Sequence, residues 1–353
     1  MDEMTIGRTS DPAKDDQQPS TNEAETEETI PEKVIETEVE DDTSEKTDNT
    51  VEAEEELEMN NVELMIKQIR KSTNVVSTRN CKGLKNLGNT CYMNSVLQCL
   101  AATIEPDIRQ YLKPSNCTEE LGMLLNQLRS HVPSMTSCIS PNRFKMSIDS
   151  VFPQYRGSRQ HDAHEFLIAL LSMAKEDVSP IAGSICSFLT CNGCKYTTQS
   201  SFPFSSLDAD IPSNKSSVTL MNCLEETFVE ELIADGWSCS NCGKQAGARK
   251  ETFLEQTPSL LIVQLKRFKY KHPGYIKDKC LVSLPQLLTL GSEKYYTQAI
   301  VDHSGSLRSG HYTARVKYGD VWLKVDDAKV SRVEAMEWNS SSAYLIFLCH
   351  VAK

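Results

Sequence analysis

Apolar residues recur with helical spacing in the first part of the folded chain. They fall at Tyr92, Val96 and Leu100, and again at Leu121, Leu124, Leu125 and Leu128, which predicts two amphipathic helices. A third helix is the clearest, because Ala163, Phe166, Leu167, Leu170, Leu171 and Ala174 hold one face in register and Pro180 stops anything beyond. A weaker set, Val62, Leu64, Met65, Ile66 and Ile69, predicts a short helix leading into this region. After about Ser184 the pattern changes to short β-like runs between Gly, Pro, Ser and Asn. The strongest runs from Leu260 to Phe268, and others lie near Tyr295–Asp302, His311–Tyr318, Val321–Val325 and Tyr344–Cys349. Helices first and strands second predict an α+β domain and not a doubly wound sheet.

Composition restricts that domain to part of the chain. Residues 1–60 hold 22 Asp and Glu against four Lys and Arg, with no Phe, Tyr, Trp or Cys. Such a stretch cannot bury enough apolar surface to offset its ordering entropy, so 1–76 is expected to be an acidic, disordered tail and 77–353 the folded domain. Residues 1–60 carry −18 against the chain's formal charge of −12, which leaves +6 on residues 61–353. Met1–Ser10 does not read as an export signal, and no run approaches the ~18 apolar residues of a membrane span. Thirteen cysteines, an odd count, are therefore expected free or metal-bound in a reducing compartment, cytoplasmic or nuclear.

The segment from Gly83 to Ser95 is a Gly- and Asn-rich loop running directly into the first helix, which puts Cys91 at a helix N-terminus. Unpaired N–H groups and the macrodipole there favour a thiolate, the attacking form of cysteine, and could also hold an oxyanion. The plain alternative is a small buried residue. Among seven histidines, His311 follows Ser309-Gly310 and opens a strand that reverses near Tyr318-Gly319-Asp320 and returns through Val321 to Asp327. A reversal centred on Tyr318-Gly319 pairs His311 with Asp326; one centred on Gly319 pairs it with Asp327. Either puts a carboxylate where it can fix the imidazole's tautomer, by the usual pattern at Nδ1, although a surface ion pair would look the same.

The segment around Cys91 resembles the Cys box of the ubiquitin-specific protease family, without departure from Asn86 to Asn94. Ser309-Gly310-His311-Tyr312-Thr313-Ala314 resembles the family's His box, and Trp322 through Asp327 the segment bearing its third triad member. The resemblance spans about Cys81 to Cys349 and implies a papain-like cysteine protease with helical thumb, β palm and zinc-bearing β fingers. It implies hydrolysis of the bond after the C-terminal glycine of ubiquitin. Cys91, His311 and Asp326 match the triad, Asn86 the oxyanion-hole side chain, Asp327 an acidic position that supports the histidine, and His303 a second, supportive histidine. Asp162 and Glu165, in Ser158–Phe166, match positions that contact the substrate tail, or else stabilise a helix N-terminus. Leu265–Phe268 is a further familiar segment. Two positions depart from the family pattern: His161, where a second Gln is common, and Arg315, where Tyr is common.

Two Cys-x-x-Cys pairs, Cys191/Cys194 and Cys239/Cys242, can chelate one tetrahedral ion despite the 44 residues between them. In the family this pattern lies in the fingers, here about 185–255, where zinc is structural. The remaining cysteines are assigned no function. The expected partners are ubiquitin and ubiquitinated proteins, with no nucleic acid or membrane, and a partner for the acidic tail stays open. A hydrolase for a different ubiquitin-like modifier and a non-catalytic ubiquitin-binding scaffold are the competing readings.

Overall fold

The computed structural model describes residues 81–351 except 105–106, 130–137, 176–179, 235 and 307–308. The acidic tail and the short helix expected before 78 lie outside the described residues. Four helices come first: α1 (Cys91–Thr103), α2 (Asn116–Arg129), α3 (Asn142–Val151) and α4 (Ala163–Leu171). The periodicity anticipated α1, α2 and α4, though α4 ends at Leu171, short of Ala174. The spacing at Tyr92, Val96 and Leu100 suggested one apolar face on α1, yet every residue from Cys91 to Ala101 is buried. Its polar donors find partners: Asn94 Nδ2 donates to Asp327, Ser95 Oγ to the Tyr92 carbonyl, and Gln98 Nε2 to the Lys82 carbonyl, while the amide oxygens of Asn94 and Gln98 stay unpaired. α1 is thus a central helix rather than a surface one.

The strands form two principal sheets. In the first, β1 (Gly183–Cys191), β2 (Thr197–Phe204), β4 (Glu231–Ile233) and β5 (Ala248–Gln256) are ordered β2-β1-β5-β4, close to the expected fingers. The second is eight-stranded. It contains β3 (Leu207–Ala209), β6 (Leu260–Leu265), β7 (Leu287–Leu290), β8 (Glu293–Ser306), β9 (Ser309–Tyr318), β10 (Val321–Asp326), β11 (Lys329–Arg332) and β12 (Ala343–His350). Its order is β11-β10-β9-β8-β12-β6-β3, with β7 on β8. One helix interrupts the strand half: α5 (Leu220–Thr227) is closed by a reciprocal Thr219/Asn222 capping box.

The large sheet is covered on both faces. Along β12, Leu345 and Phe347 pack into one core with the four-helix layer, while Ile346 and Leu348 enter a second core with α5. This is why Leu260–Leu265, interrupted by Gln264 alone, and Ala343–Leu348 read as near-continuous apolar runs without alternation. The strand expected at Leu260–Phe268 breaks after Leu265, and Arg267 turns inward, fully buried. Its guanidinium donates to the carbonyls of Ala343, Asp278, Cys280 and Ser340 at 2.5–3.2 Å, pinning four backbone segments together. None of the described helices is long and apolar enough to cross a membrane.

Candidate active site

Cys91 begins α1, and the helix packs against β9 so that Tyr312 lines the same cleft. The thiol is buried, and burial raises its pKa despite the N–H groups of Tyr312, Tyr92 and Cys91 itself, with the charge of Asp327 adding to the rise. The expectation that the helix terminus alone would favour thiolate is therefore reversed: desolvation of the anion outweighs the dipole and its donors. A thiol whose pKa is raised by burial needs a base to give up its proton. No hydrogen bond joins Cys91 to His311 among the described residues, so proton transfer requires the two to close up.

The base candidate sits on β9 one residue before Tyr312, and its partner comes from β10. Tyr318 pairs with Val321 and Ala314 with Val325, so the reversal centres on Gly319-Asp320 and neither anticipated register holds. Continuing that ladder puts Asp326 opposite Thr313, two residues from His311 on the same face. Such diagonal neighbours lie within reach of long side chains. His311 Nε2 lies 2.6 Å from Asp326 Oδ1, with both side chains about half exposed. The carboxylate thus holds Nε2 and not Nδ1, which leaves Nδ1 as the ring nitrogen able to take a proton.

Asp327 makes different bonds from those the sequence suggested. Its φ of 49° places it in the left-handed region, so the chain leaves the ladder and the carboxylate turns toward α1. Oδ2 accepts from Asn86 Nδ2 and Oδ1 from Asn94 Nδ2, each at 2.8 Å. Leu84 N also donates to the Asp327 carbonyl, and a Cβ on Gly83 would lie 2.4 Å from the Ala328 oxygen, which explains glycine there. Asn86 Oδ1 accepts from Gly88 N, Thr90 N and Thr90 Oγ1. The amide is held on both sides, and one of its two N–H donors remains for another acceptor.

A cleft of about 280 Å³ runs past Cys91, walled by the loop into α4 and by β9. Asp162 and Glu165 both line it. Asp162 caps α4, accepting from His164 N and Glu165 N, and its second oxygen accepts from the hydroxyls of Tyr312 and Tyr344 at 3.0 and 2.8 Å. Glu165 is exposed, its pKa raised by partial burial and by Asp162. Sequence reasoning missed Gln160, whose amide exchanges two hydrogen bonds with the backbone of Gly310 across the cleft. No local pattern marks such a contact, since its partner is 150 residues away. His161 also lines the cleft, its ring edge-on to Tyr92 and Tyr155 and its buried Nε2 without a partner. His303 is buried against Phe268 and Tyr312, and burial, with Lys277 and His311 adding, pushes its pKa down to about 4. A Cβ on Gly310 would come within 2.0 Å of the His303 ring, so only glycine fits between the two histidines.

At the far end of the fingers the four predicted cysteines converge. Their Sγ atoms all lie within 4.8 Å of one another, with Cys191–Cys242 at 4.0 Å and Cys194–Cys239 at 3.7 Å. A tetrahedral ion with metal–sulfur bonds of ~2.3 Å needs sulfurs ~3.8 Å apart, so the cluster fits a four-thiolate metal site. The Cys194 thiol is lowered to about 6, chiefly by the Tyr196 N–H and then the Asn241 amide. The 44-residue excursion closes because β1 and β5 are paired neighbours, ending in Cys191 opposite Ala248.

Comparison with known proteins adds the following. The family model described as ubiquitin carboxyl-terminal hydrolase matches residues 82–348. Ubiquitin carboxyl-terminal hydrolase 2 of Bos taurus is 29% identical, over 79% of this chain and 56% of its own length. Ubiquitin carboxyl-terminal hydrolase 20 of Arabidopsis thaliana is also 29% identical, over 75% of this chain and 43% of its own length. The chain thus spans about half the length of these relatives. The SAGA DUB module Ubp8/Sgf11/Sus1/Sgf73 bound to monoubiquitin contains a chain with the same fold, at a TM-score of 0.66 and 24% identity. That match covers 80% of this chain and 73% of the other.

Proposed function

Since the chain belongs to the ubiquitin carboxyl-terminal hydrolase family, as a ubiquitin-specific protease, we propose that it is a cysteine deubiquitinase cleaving the bond after the C-terminal glycine of ubiquitin. Nδ1 of His311 takes the Cys91 proton, and the sulfur attacks the carbonyl carbon. The remaining N–H of Asn86 donates to the oxyanion. As the carbon–nitrogen bond breaks, His311 returns the proton to the leaving amine, which departs and leaves a thioester. Water, deprotonated by His311, then releases the ubiquitin carboxylate and restores the thiol. Asp326 fixes the ring and stabilises the imidazolium. Glu165 meets the substrate tail through its exposed carboxylate, whereas Asp162 shapes the cleft by holding Tyr312 and Tyr344.

The observation that carries this reading is the Nε2–Asp326 bond of 2.6 Å on the strand whose next residue, Tyr312, lines the cleft with Cys91. It supports Nδ1 as the base, on the residue adjoining one that lines the cleft with Cys91. A ubiquitin probe with a C-terminal electrophile should add once to the protein and not at all to Cys91→Ser. Labelling that persists in the variant, or reaction only with a different modifier's probe, would overturn the assignment.

The four-cysteine site is read as a zinc site. Cys191, Cys194, Cys239 and Cys242 would supply all four ligands, leaving no position for a reacting water, so the ion would be structural. Ubiquitin and ubiquitinated proteins are the partners this activity requires. Thirteen cysteines, none in a disulfide, support a reducing compartment, cytoplasm or nucleus.

A further inference from the structure

A second cavity of about 460 Å³ is lined by His311 and Asp326 and shares His303 with the Cys91 cleft. Its floor is one face of three strands, where direct cross-strand pairs stack as Ser304 with His311, Asp302 with Thr313, and Arg315 with Lys324. Asp326 belongs to the same floor, and the 333–342 segment forms a wall. Its position has a chemical meaning. The acyl part of the substrate lies over Cys91, and the amine leaves with a proton from His311, so the leaving group must lie on the His311 side. His311 and Asp326 line this cavity and not the Cys91 cleft.

Its charges can be apportioned. Arg315 is buried and bound to Asp302 by two bonds of 2.6 and 2.7 Å, and it also donates to the Glu337 carbonyl, which ties the wall to the floor. That pair is neutral in sum. Lys324, exposed beside it, has no carboxylate partner among the described residues. The Glu337 carboxylate, on the wall, likewise has no cationic partner there. The Asp326 carboxylate on the same floor is engaged by His311, so the free cation stands on the floor, two residues from Asp326 on the same strand face, and the free anion stands on the wall.

We propose that this cavity is the leaving-group subsite and that Lys324 makes it favour a ubiquitin-bearing lysine flanked by acidic residues. The inference rests on the hydrolase reading above. Ubiquitin joined through an isopeptide bond to lysine peptides with acidic or basic flanks supplies the test, each rate divided by the same variant's rate on ubiquitin carrying a small neutral leaving group. The unsubstituted protein should favour the acidic peptide. In Lys324→Glu the acidic-to-basic ratio should fall by about five- to tenfold, because a solvent-screened attraction becomes a repulsion for one peptide and the reverse for the other. Glu337→Lys should move the ratio the other way. A ratio unmoved in both variants overturns the subsite. Failure of the unsubstituted protein to cleave even the small leaving group overturns the hydrolase reading, and this inference with it.

Discussion

At the scale of single residues, adjacent carboxylates have separate duties. Asp326 holds the base, so Asp326→Ala should lower kcat by about 10³-fold or more, whereas Asp326→Asn should retain more because an amide oxygen still accepts from Nε2–H. Asp327 holds Asn86, and its charge also raises the Cys91 pKa. Asp327→Ala should therefore reduce kcat by about 10- to 100-fold through a loosened oxyanion donor, while the pH profile of Cys91 alkylation moves to lower pH. A fall in kcat with an unmoved alkylation profile would show that the electrostatic half of this account is wrong. His303 is the residue for a pH test. Its folded pKa of about 4 lies below the ordinary 6.5, so the unfolded chain binds the extra proton and stability is lost as pH falls from about 6.5 toward 4. The loss is at most about 3 to 4 kcal/mol, and urea melts of His303→Asn should show a flatter decline over that range.

At the scale of elements, the positions of the active groups depend on how strands end. β10 stops at Asp326, and the left-handed Asp327 sends neighbouring carboxylates to different partners. β6 stops at Leu265, and Arg267 then joins the segments around Asp278, Cys280, Ser340 and Ala343. The fingers depend on a different closure. β1 and β5 hold each other by a full ladder, but among the described residues the Cys239–Cys242 knuckle has backbone bonds only to Lys244 and within its own turn, plus the Asn241 amide on Cys194. Metal analysis should return about one zinc per chain. Cys239→Ser should lower the melting temperature, and proteolysis should then cut first between residues 230 and 247. A metal-free protein with the same melting curve as the variant would remove the zinc from the account.

At the scale of the whole molecule, every group in the proposed reaction lies between Asn86 and Asp327, within the family match of 82–348. Removing residues 1–60, with their −18 charge and no aromatic side chain, should leave kcat on a minimal ubiquitin substrate within a few-fold of the full chain. A collapse in turnover would place the tail in the active domain. The sequence by itself determined the order of helices and strands, because apolar periodicity is a local property. It also determined Cys91 at a helix start, His311 on a hairpin and the two Cys-x-x-Cys pairs, because these are short-range patterns with chemically specific residues. Only the tertiary structure decided the hairpin register, since a one-residue shift in the turn at Gly319-Asp320 changes the partner of every residue without changing the pattern. It likewise decided that Asp326 binds Nε2, that Asp327 serves Asn86, that burial outweighs the helix terminus at Cys91, and that Gln160 meets Gly310. Each of those depends on distances between segments far apart in the chain, and no local sequence pattern encodes a distance of that kind.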